Sequence, residues 1–211
     1  MTIDIKFCGL STTDSVDAAI GAGARYLGFV FFPPSPRNIA PERAAGLIAR
    51  IPPGIGRVAV LVDADDETID AVIAAGIDTL QLHGKESPAR IANLKARTGK
   101  AVWRATGVKT RADISAAISA AGSADRLLLD AKAPSDSAIP GGNGVAFDWR
   151  LMQGVVPRQP WGLGGGLHAG NIGAALAAKP DFVDVSSGIE DQPGVKSLSK
   201  IVEFGKAVRG T

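Results

Sequence analysis

The feature that most constrains this chain is a regular alternation of short apolar runs with stretches that favour helix. Runs such as VAVLV at 58–62 and LLL at 127–129 are apolar at every position. Such runs are typical of strands buried on both faces of a parallel sheet. The spacing predicts strands at 3–8, 26–31, 57–62, 79–82, 101–105, 126–130, 160–164 and 182–185.

Each predicted strand is followed by a predicted helix, and several of these end at a glycine, as helices often do. The predicted helices lie at 14–22, 41–50, 66–75, 87–98, 111–121, 148–153, 169–178 and 197–208. Strand ends recur about every 25 residues, which is near the size of a minimal βα unit. Eight consecutive units favour a closed (β/α)8 barrel over an open doubly wound sheet. No linker interrupts them, so residues 1–211 are predicted to form one catalytic domain.

Composition excludes several classes of protein. The net charge is +2 and no basic cluster occurs, which argues against a nucleic-acid partner. The apolar runs are strand-sized, far below the ~20 residues that span a bilayer. A single cysteine cannot form an intramolecular disulfide and fits a reducing compartment. Together with the lack of a signal-peptide pattern, this predicts a cytoplasmic location.

In a barrel of this kind the strand ends converge on one face, which makes Cys8 and Asp130 candidates for catalysis. Asp130 ends an apolar strand, where desolvation should raise its pKa enough to hold a proton near neutrality. Cys8 would need only a modest lowering of its pKa to act as a base. Such a pair suits proton transfer at carbon. The alternatives are a small buried hydrophobic residue for Cys8 and a helix cap or loop ion pair for Asp130.

Two further side chains follow strand ends. Arg37 lies in the proline-rich loop at 32–40, which is stiff enough to hold a guanidinium ready for a carboxylate; alternatively it pairs with Glu42 on the surface. His83 either lines the pocket or hydrogen-bonds a loop backbone. The other long loop, 131–147, contains Asn143 among glycines and is a candidate lid over Asp130.

The loops after the seventh and eighth strands predict a phosphate site, which is where barrels of this type recurrently bind phosphate. The first loop supplies glycine amides at the start of a helix, and the second supplies hydroxyls and another glycine. The alternative is that the glycines only form tight turns. The residues concerned are Gly165, Gly166, Ser186, Ser187 and Gly188. No cluster of His, Cys and carboxylates has metal-ligand spacing, so no metal is expected.

Taken together, these motifs closely resemble the phosphoribosylanthranilate isomerase family of tryptophan biosynthesis. The matching stretches are KFCGL at 6–10, GFVF at 28–31 with SPR at 35–37, QLHG at 81–84, LLD at 128–130, GG at 141–142 with FDW at 147–149, GGL at 165–167 and VDVSSGIE at 183–190 through GVK at 194–196. They run in order from end to end of the chain. The strand-six loop departs from the family, which often has Thr or Ser and then Lys there, and Gly164 stands where alanine is common.

The resemblance implies a (β/α)8 barrel without a cofactor and a small phosphorylated substrate. It implies an Amadori rearrangement of N-(5-phosphoribosyl)anthranilate to the 1-deoxyribulose ketose. Asp130 would be the general acid that opens the furanose ring, and Cys8 the general base that removes the C2′ proton. Arg37 would hold the anthranilate carboxylate, and the glycines and serines named above would hold the phosphate.

Two other functions stay open at this stage. One is another sugar-phosphate barrel, such as an epimerase or the histidine-pathway isomerase. That isomerase family has an aspartate where Cys8 stands, so the thiol argues against it. The other is a barrel that only binds phosphorylated ligands. The sequence leaves the oligomeric state open between monomer and homodimer.

Overall fold

Eight parallel strands close into a barrel in sequence order, as predicted. The computed structural model describes residues 3–134, 137, 139–144 and 146–210. The barrel strands are β1 (Asp4–Cys8), β2 (Tyr26–Phe31), β3 (Gly56–Leu61), β4 (Thr79–Leu82), β5 (Ala101–Val108), β6 (Arg126–Ala131), β7 (Trp161–Leu163) and β8 (Phe182–Val185). A short antiparallel hairpin follows, formed by β9 (Glu190–Gln192) and β10 (Val195–Lys196).

The helices surround the barrel and cover its outer face. They are α1 (Thr13–Gly21), α2 (Pro41–Ile48), α3 (Asp66–Ala74), α4 (Pro88–Thr98), α5 (Arg111–Ala120), α6 (Ile172–Leu176) and α7 (Leu198–Arg209). Four of them begin at a side chain that accepts an amide hydrogen bond of the first turn: Thr12, Asp65, Ser87 and Thr110. Within the described residues, every helix is too short or too polar to cross a bilayer.

Strand alternation separates two layers of side chains on β1. Ile5 and Phe7 face outward into the main apolar core, where Phe7 meets Phe204 of α7 at 6.1 Å between ring centroids. Lys6 and Cys8 therefore face into the barrel. The position of both polar side chains on the inner face follows from the period of two along a strand.

Aromatic side chains fill the barrel interior at its amino-terminal end. Trp103 lies between Tyr26 and Phe182, with ring centroids 4.8 Å and 5.0 Å away. Val58, Ala105 and Leu128 complete this cluster. Because these side chains pack the lower half of the barrel, open space is left only towards the carboxyl ends of the strands.

Two predicted helices differ from the structure. The stretch predicted at 148–153 forms only a 3-10 helix, Trp149–Met152, because Gly154 follows too soon for a stable α-helix to propagate. The helix predicted at 169–178 is confined to Ile172–Leu176. Asn171 delays its start, since its side chain bonds the His168 amide and the Gly166 carbonyl.

Candidate active site

The carboxyl ends of the strands surround one cavity of about 60 Å³. It is lined by five of the predicted site residues, which are Cys8, Arg37, His83, Asp130 and Ser186. It is also lined by Asp184, which the sequence reasoning did not single out. Residues far apart in the chain thus face one small volume.

Asp130 is the next-to-last residue of β6 and is 7% exposed. Its Oδ1 accepts the amide hydrogen of Ala131 at 2.8 Å, and no lysine or arginine among the described residues forms an ion pair with it. Burial, reinforced by the negative charge of Asp184, raises the pKa of Asp130 to about 7. The Ala131 amide, Lys6 and Arg37 oppose this shift without cancelling it. The carboxyl can therefore carry a proton near neutral pH.

His83 lines the cavity beside Asp130, with its Nε2 3.7 Å from Asp130 Oδ2. That separation is too long for a hydrogen bond, and Nε2 has no partner among the described residues. Burial, together with the cations Lys6 and Arg104, lowers the pKa of His83 to about 4. The imidazole is therefore neutral at neutral pH and presents a free ring nitrogen to whatever occupies the cavity.

Cys8 lies at the end of β1 and is buried. Burial raises the pKa of its thiol, which is the opposite of the lowering that a resting base requires. Lys6 and Lys196 work against that rise, whereas Asp184 adds to it. The pKa of this thiol therefore depends on burial first and on the charged groups around it second.

A buried ion pair lies beside Cys8. Lys6 Nζ is 2.9 Å from Asp184 Oδ1, and the Lys6 side chain is fully buried. Burial alone would lower the pKa of Lys6, but Asp184 and Cys8 more than offset this and raise it. Sequence reasoning missed the pair, although one signal was present: a lysine at the second position before Cys8 must face the same side of the strand.

Arg37 is buried, and a carboxylate from the β9–β10 hairpin holds it. Its Nε and Nη2 donate to the two carboxylate oxygens of Glu190, each at 2.7 Å, and Nη2 also donates to the Gly142 carbonyl at 3.2 Å. The alternative of a surface pair with Glu42 is therefore wrong. Lys196 Nζ donates to Glu190 as well, at 2.7 Å. Two basic side chains thus share one carboxylate, although burial lowers the pKa of Lys196 against the opposing effect of Glu190.

The loops after β7 and β8 lie against each other at the rim. A Cβ on Gly188 would overlap the Leu167 carbonyl, so only glycine fits there. Gly165 and Gly166 both have positive φ, and their amides have no acceptor in the part of the chain that the structure describes. The predicted contribution of a helix dipole is weakened, because α6 begins only at Ile172.

Ser186 differs from the other residues predicted to bind phosphate. Its hydroxyl donates to the Cys8 carbonyl at 3.2 Å and accepts from Lys196 Nζ at 3.3 Å. Lys196 also bonds the Ser186 carbonyl at 3.0 Å. This serine therefore ties the end of β8 to β1 and positions Cys8, besides lining the cavity.

The predicted lid covers Asp130. Residues 139–142 line the cavity, and a Cβ on Gly141 would lie 2.5 Å from Asp130 Oδ2 and 2.6 Å from His83 Cε1. Asn143 braces the segment through Ser137 and the Ile139 carbonyl. Residues 135, 136, 138 and 145 of the loop lie outside the described residues.

The fold and the site define a (β/α)8-barrel protein with a buried carboxyl, a buried thiol and a buried guanidinium at the carboxyl ends of its strands. No group of three or more metal-ligating side chains occurs within the described residues. The family model for N-(5′-phosphoribosyl)anthranilate isomerase matches residues 5–207. The chain therefore belongs to the N-(5′-phosphoribosyl)anthranilate isomerase family, whose members are enzymes of tryptophan biosynthesis. This confirms the resemblance found in the sequence.

Individual relatives agree along the whole chain. The isomerase of Paracoccus denitrificans is 48% identical over 206 residues, covering 97% of this chain and 96% of its own. That of Azorhizobium caulinodans is 48% identical over 211 residues, covering 99% and 92%. The crystal structure of the Thermotoga maritima isomerase is 32% identical and covers 100% of both chains with a TM-score of 0.89. The similarity therefore extends over nearly the whole length of the chain.

Proposed function

We propose that this isomerase catalyses the Amadori rearrangement of N-(5′-phosphoribosyl)anthranilate with Asp130 as general acid and Cys8 as general base. The observation that carries the proposal is that a carboxyl with a pKa of about 7 and the chain's only thiol line one cavity. A protonated acid and a separate base are what an aldose-to-ketose shift requires. A solved relative, 30% identical with a TM-score of 0.86, is in complex with reduced 1-(o-carboxyphenylamino)-1-deoxyribulose 5-phosphate.

The proposed reaction proceeds in three steps. Asp130 gives its proton to the furanose ring oxygen, the C1′–O bond breaks, and the anilino nitrogen supplies the electrons that form the Schiff base. The Cys8 thiolate then removes the C2′ proton, and the electron pair of that C–H bond forms the enolamine. Finally C1′ takes the proton from the Cys8 thiol and the 2′ hydroxyl gives its proton to the Asp130 carboxylate, which yields the ketose and restores both side chains to their starting states. Atoms and charge balance without an added oxidant or reductant.

We assign binding of the anthranilate carboxylate to Arg37. Glu190 engages its Nε and Nη2. Its Nη1 has no partner among the described residues and lies beside Gly142, where an added Cβ would be 2.6 Å away. A guanidinium with a free N–H favours an anionic group. His83, neutral and with a free Nε2, is assigned to substrate binding beside Asp130.

We assign the phosphate to the loops after β7 and β8. The supporting observations are the free amides of Gly165 and Gly166 and the close contact between the two loops. Ser187 and Gly188 would supply donors from the second loop. Ser186 would contribute from the cavity side while holding Cys8 in place.

The decisive experiment follows the fluorescence of the anthranilate substrate as the purified protein consumes it. Cys8→Ser and Asp130→Asn should each lower kcat by ~100-fold or more, the scale of lost acid–base catalysis. Both variants should still bind the reduced product analogue, which separates catalysis from binding. Near-normal kcat in Asp130→Asn would show that the acid is wrongly assigned.

The alternatives give other outcomes in the same assay. A barrel that only binds phosphorylated ligands would bind the analogue tightly without turnover. A related sugar-phosphate isomerase would turn over a different aminoaldose faster than the anthranilate substrate. The family membership and the thiol at position 8 favour the anthranilate substrate.

Several sequence-based expectations remain proposals. We take residues 1–211 as one catalytic domain that works in the cytoplasm, without a cofactor. The oligomeric state is open between monomer and homodimer. The Thermotoga maritima isomerase is described as dimeric, with monomers generated from it.

A further inference from the structure

The strongest unassigned feature of the site is the lysine beneath the catalytic thiol. Lys6 lies two residues before Cys8 on β1, so both side chains face into the barrel. Its side chain is fully buried and its ammonium is 2.9 Å from Asp184 Oδ1. Lysine is almost never fully buried unless it is paired. The protein therefore holds a cation at this position against the cost of desolvating it.

The space between this cation and the thiol is kept open by a glycine on the neighbouring strand. Gly28 of β2 pairs with Cys8 in the barrel register. A Cβ at Gly28 would lie 2.9 Å from Cys8 Sγ and 3.1 Å from Lys6 Nζ. The sulfur and the ammonium thus border the same small gap, which any larger residue at 28 would fill.

We propose that Lys6 is a positioning residue that favours the thiolate of Cys8 over the thiol by sharing its buried positive charge between Asp184 and the sulfur. The proposal rests on the proposed role of Cys8 as the base. It adds a residue that touches neither the substrate nor the reacting carbon and acts only through the sulfur.

The charges that face Cys8 support this role. Lys6 of β1 and Lys196 of β10 both favour the thiolate, whereas burial and Asp184 of β8 oppose it. Across the cavity lie the guanidinium of Arg37, the neutral imidazole of His83 and the carboxyl of Asp130, which carries a proton near neutrality. Among the groups that oppose the effect of burial on the pKa of Cys8, Lys6 has the largest effect.

The arrangement also keeps Lys6 paired throughout the reaction. While Cys8 is a thiolate, the ammonium faces two anions, sulfur and the Asp184 carboxylate. After the thiolate has taken the C2′ proton, the ammonium remains paired with Asp184. An unpaired buried charge, which is strongly unfavourable, therefore does not arise at either stage.

The single cysteine makes the proposal directly measurable. The ultraviolet absorbance of the thiolate, taken as the difference between a protein and its Cys8→Ser counterpart, titrates this one thiol. Lys6→Met, which keeps the length of the side chain and removes the charge, should move the midpoint upward by about one pH unit or more, a tenfold loss of thiolate at a given pH below it. The acidic limb of the kcat/KM profile should move upward with it. Lys6→Arg should restore part of both shifts.

Two further variants make the outcome decisive. Lys206→Met removes a charge from the exposed end of α7 and should leave the thiol midpoint unchanged. Asp184→Asn removes the competing carboxylate and should move the midpoint downward, opposite to Lys6→Met. That opposite shift tests the proposal even if Lys6→Met does not fold.

An unchanged midpoint in folded Lys6→Met, or an unchanged or raised midpoint in Asp184→Asn, would overturn the proposal. The proposed base fails separately, through normal turnover by Cys8→Ser. The thiol titration and the activity of Cys8→Ser therefore distinguish the two failures.

Discussion

At the scale of single residues, the site reverses the ordinary order of two pKa values. Asp130 has a pKa of about 7 and His83 one of about 4, although they are 3.7 Å apart. Burial disfavours the charged form of both groups, which raises the value for an acid and lowers it for a base. At pH 6 the carboxyl holds a proton and the imidazole does not. The site thus presents a neutral acid beside a neutral ring nitrogen.

The raised pKa of Asp130 predicts a specific pH dependence of stability. Its folded-state pKa exceeds the unfolded value of about 4, so the folded protein loses stability as the pH rises from about 4 through about 7. Asp130→Asn does not ionise and should therefore be more stable than the wild type at pH 8, by a few kcal/mol at most. The difference should shrink towards pH 4. Urea unfolding at several pH values measures it, and a constant difference would contradict the assignment.

Glu190 predicts a second effect at this scale, because it fixes Arg37 through two hydrogen bonds of 2.7 Å. Glu190→Gln should raise KM for the anthranilate substrate ~10-fold, on the scale of a lost charge-assisted hydrogen bond, with little change in kcat. Arg37→Ala should raise KM at least as much, and the double variant should add little further. Glu42→Gln, on exposed α2 surface, is the matched control and should behave as wild type. A lower kcat at unchanged KM in Glu190→Gln would contradict this role.

Among the secondary-structure elements, the loops and the β9–β10 hairpin position the side chains proposed to bind the substrate. The strands β1 and β6 position the proposed base, Cys8, and the proposed acid, Asp130. The β9–β10 hairpin places Lys196 opposite Glu190, and through them it reaches Arg37 and Ser186. The segment at 139–142 covers Asp130 and His83. In the proposed function, these two pieces of the chain control substrate access and recognise the charge of the substrate.

The cover over Asp130 predicts the effect of one added methyl group. Gly141→Ala would place a Cβ 2.5 Å from Asp130 Oδ2. The segment at 139–142 would have to move away, and Asp130 would become more exposed to solvent. We expect kcat to fall ~10-fold or more, as small misplacements at a catalytic group do, with the fold intact. Gly46→Ala in α2, where a Cβ meets nothing within 4 Å, should retain activity and gain up to about 1 kcal/mol of stability. Steady-state kinetics and urea unfolding give both answers, and normal kcat in Gly141→Ala would contradict the proposed enclosure.

At the scale of the whole molecule, the barrel is divided into a packed lower half and a polar upper half. Trp103, Tyr26 and Phe182 fill the lower half, and the charged residues of the site lie above them. Phe182 is fully buried, so the structure around it can relax only partly if the ring is removed. The stability of the barrel and the chemistry of its mouth therefore depend on different layers.

The packed layer predicts a large loss of stability from one truncation. Phe182→Ala should lower the free energy of unfolding by about 3–5 kcal/mol, the cost of removing a buried phenyl ring and leaving a cavity. Val156→Ala, at a position 87% exposed, is the control and should change it by less than about 0.5 kcal/mol. Chemical denaturation compares the two. A loss below about 1 kcal/mol in Phe182→Ala would show that the aromatic layer is less tightly packed than described.

The sequence predicted local features well and distant pairings poorly. The bounds of β2, β4 and β8 were predicted correctly, because buried apolar runs and helix-ending glycines are local signals. The helices at 148–153 and 169–178 were overpredicted where glycine and Asn171 act against helix. The bond between Arg37 and Glu190 joins residues 153 positions apart. No local pattern indicates such a contact.

The order of the strands in the barrel, and the residues at their carboxyl ends, can be predicted from local patterns, because strand and helix periods are properties of short stretches of chain. Which of those groups are charged, and what they contact, depends on the folded arrangement. The proton on Asp130, the neutral ring of His83 and the dependence of Cys8 on Lys6 all arise from burial and from distances of a few ångströms. Those quantities exist only once strands remote in the chain have closed around one cavity.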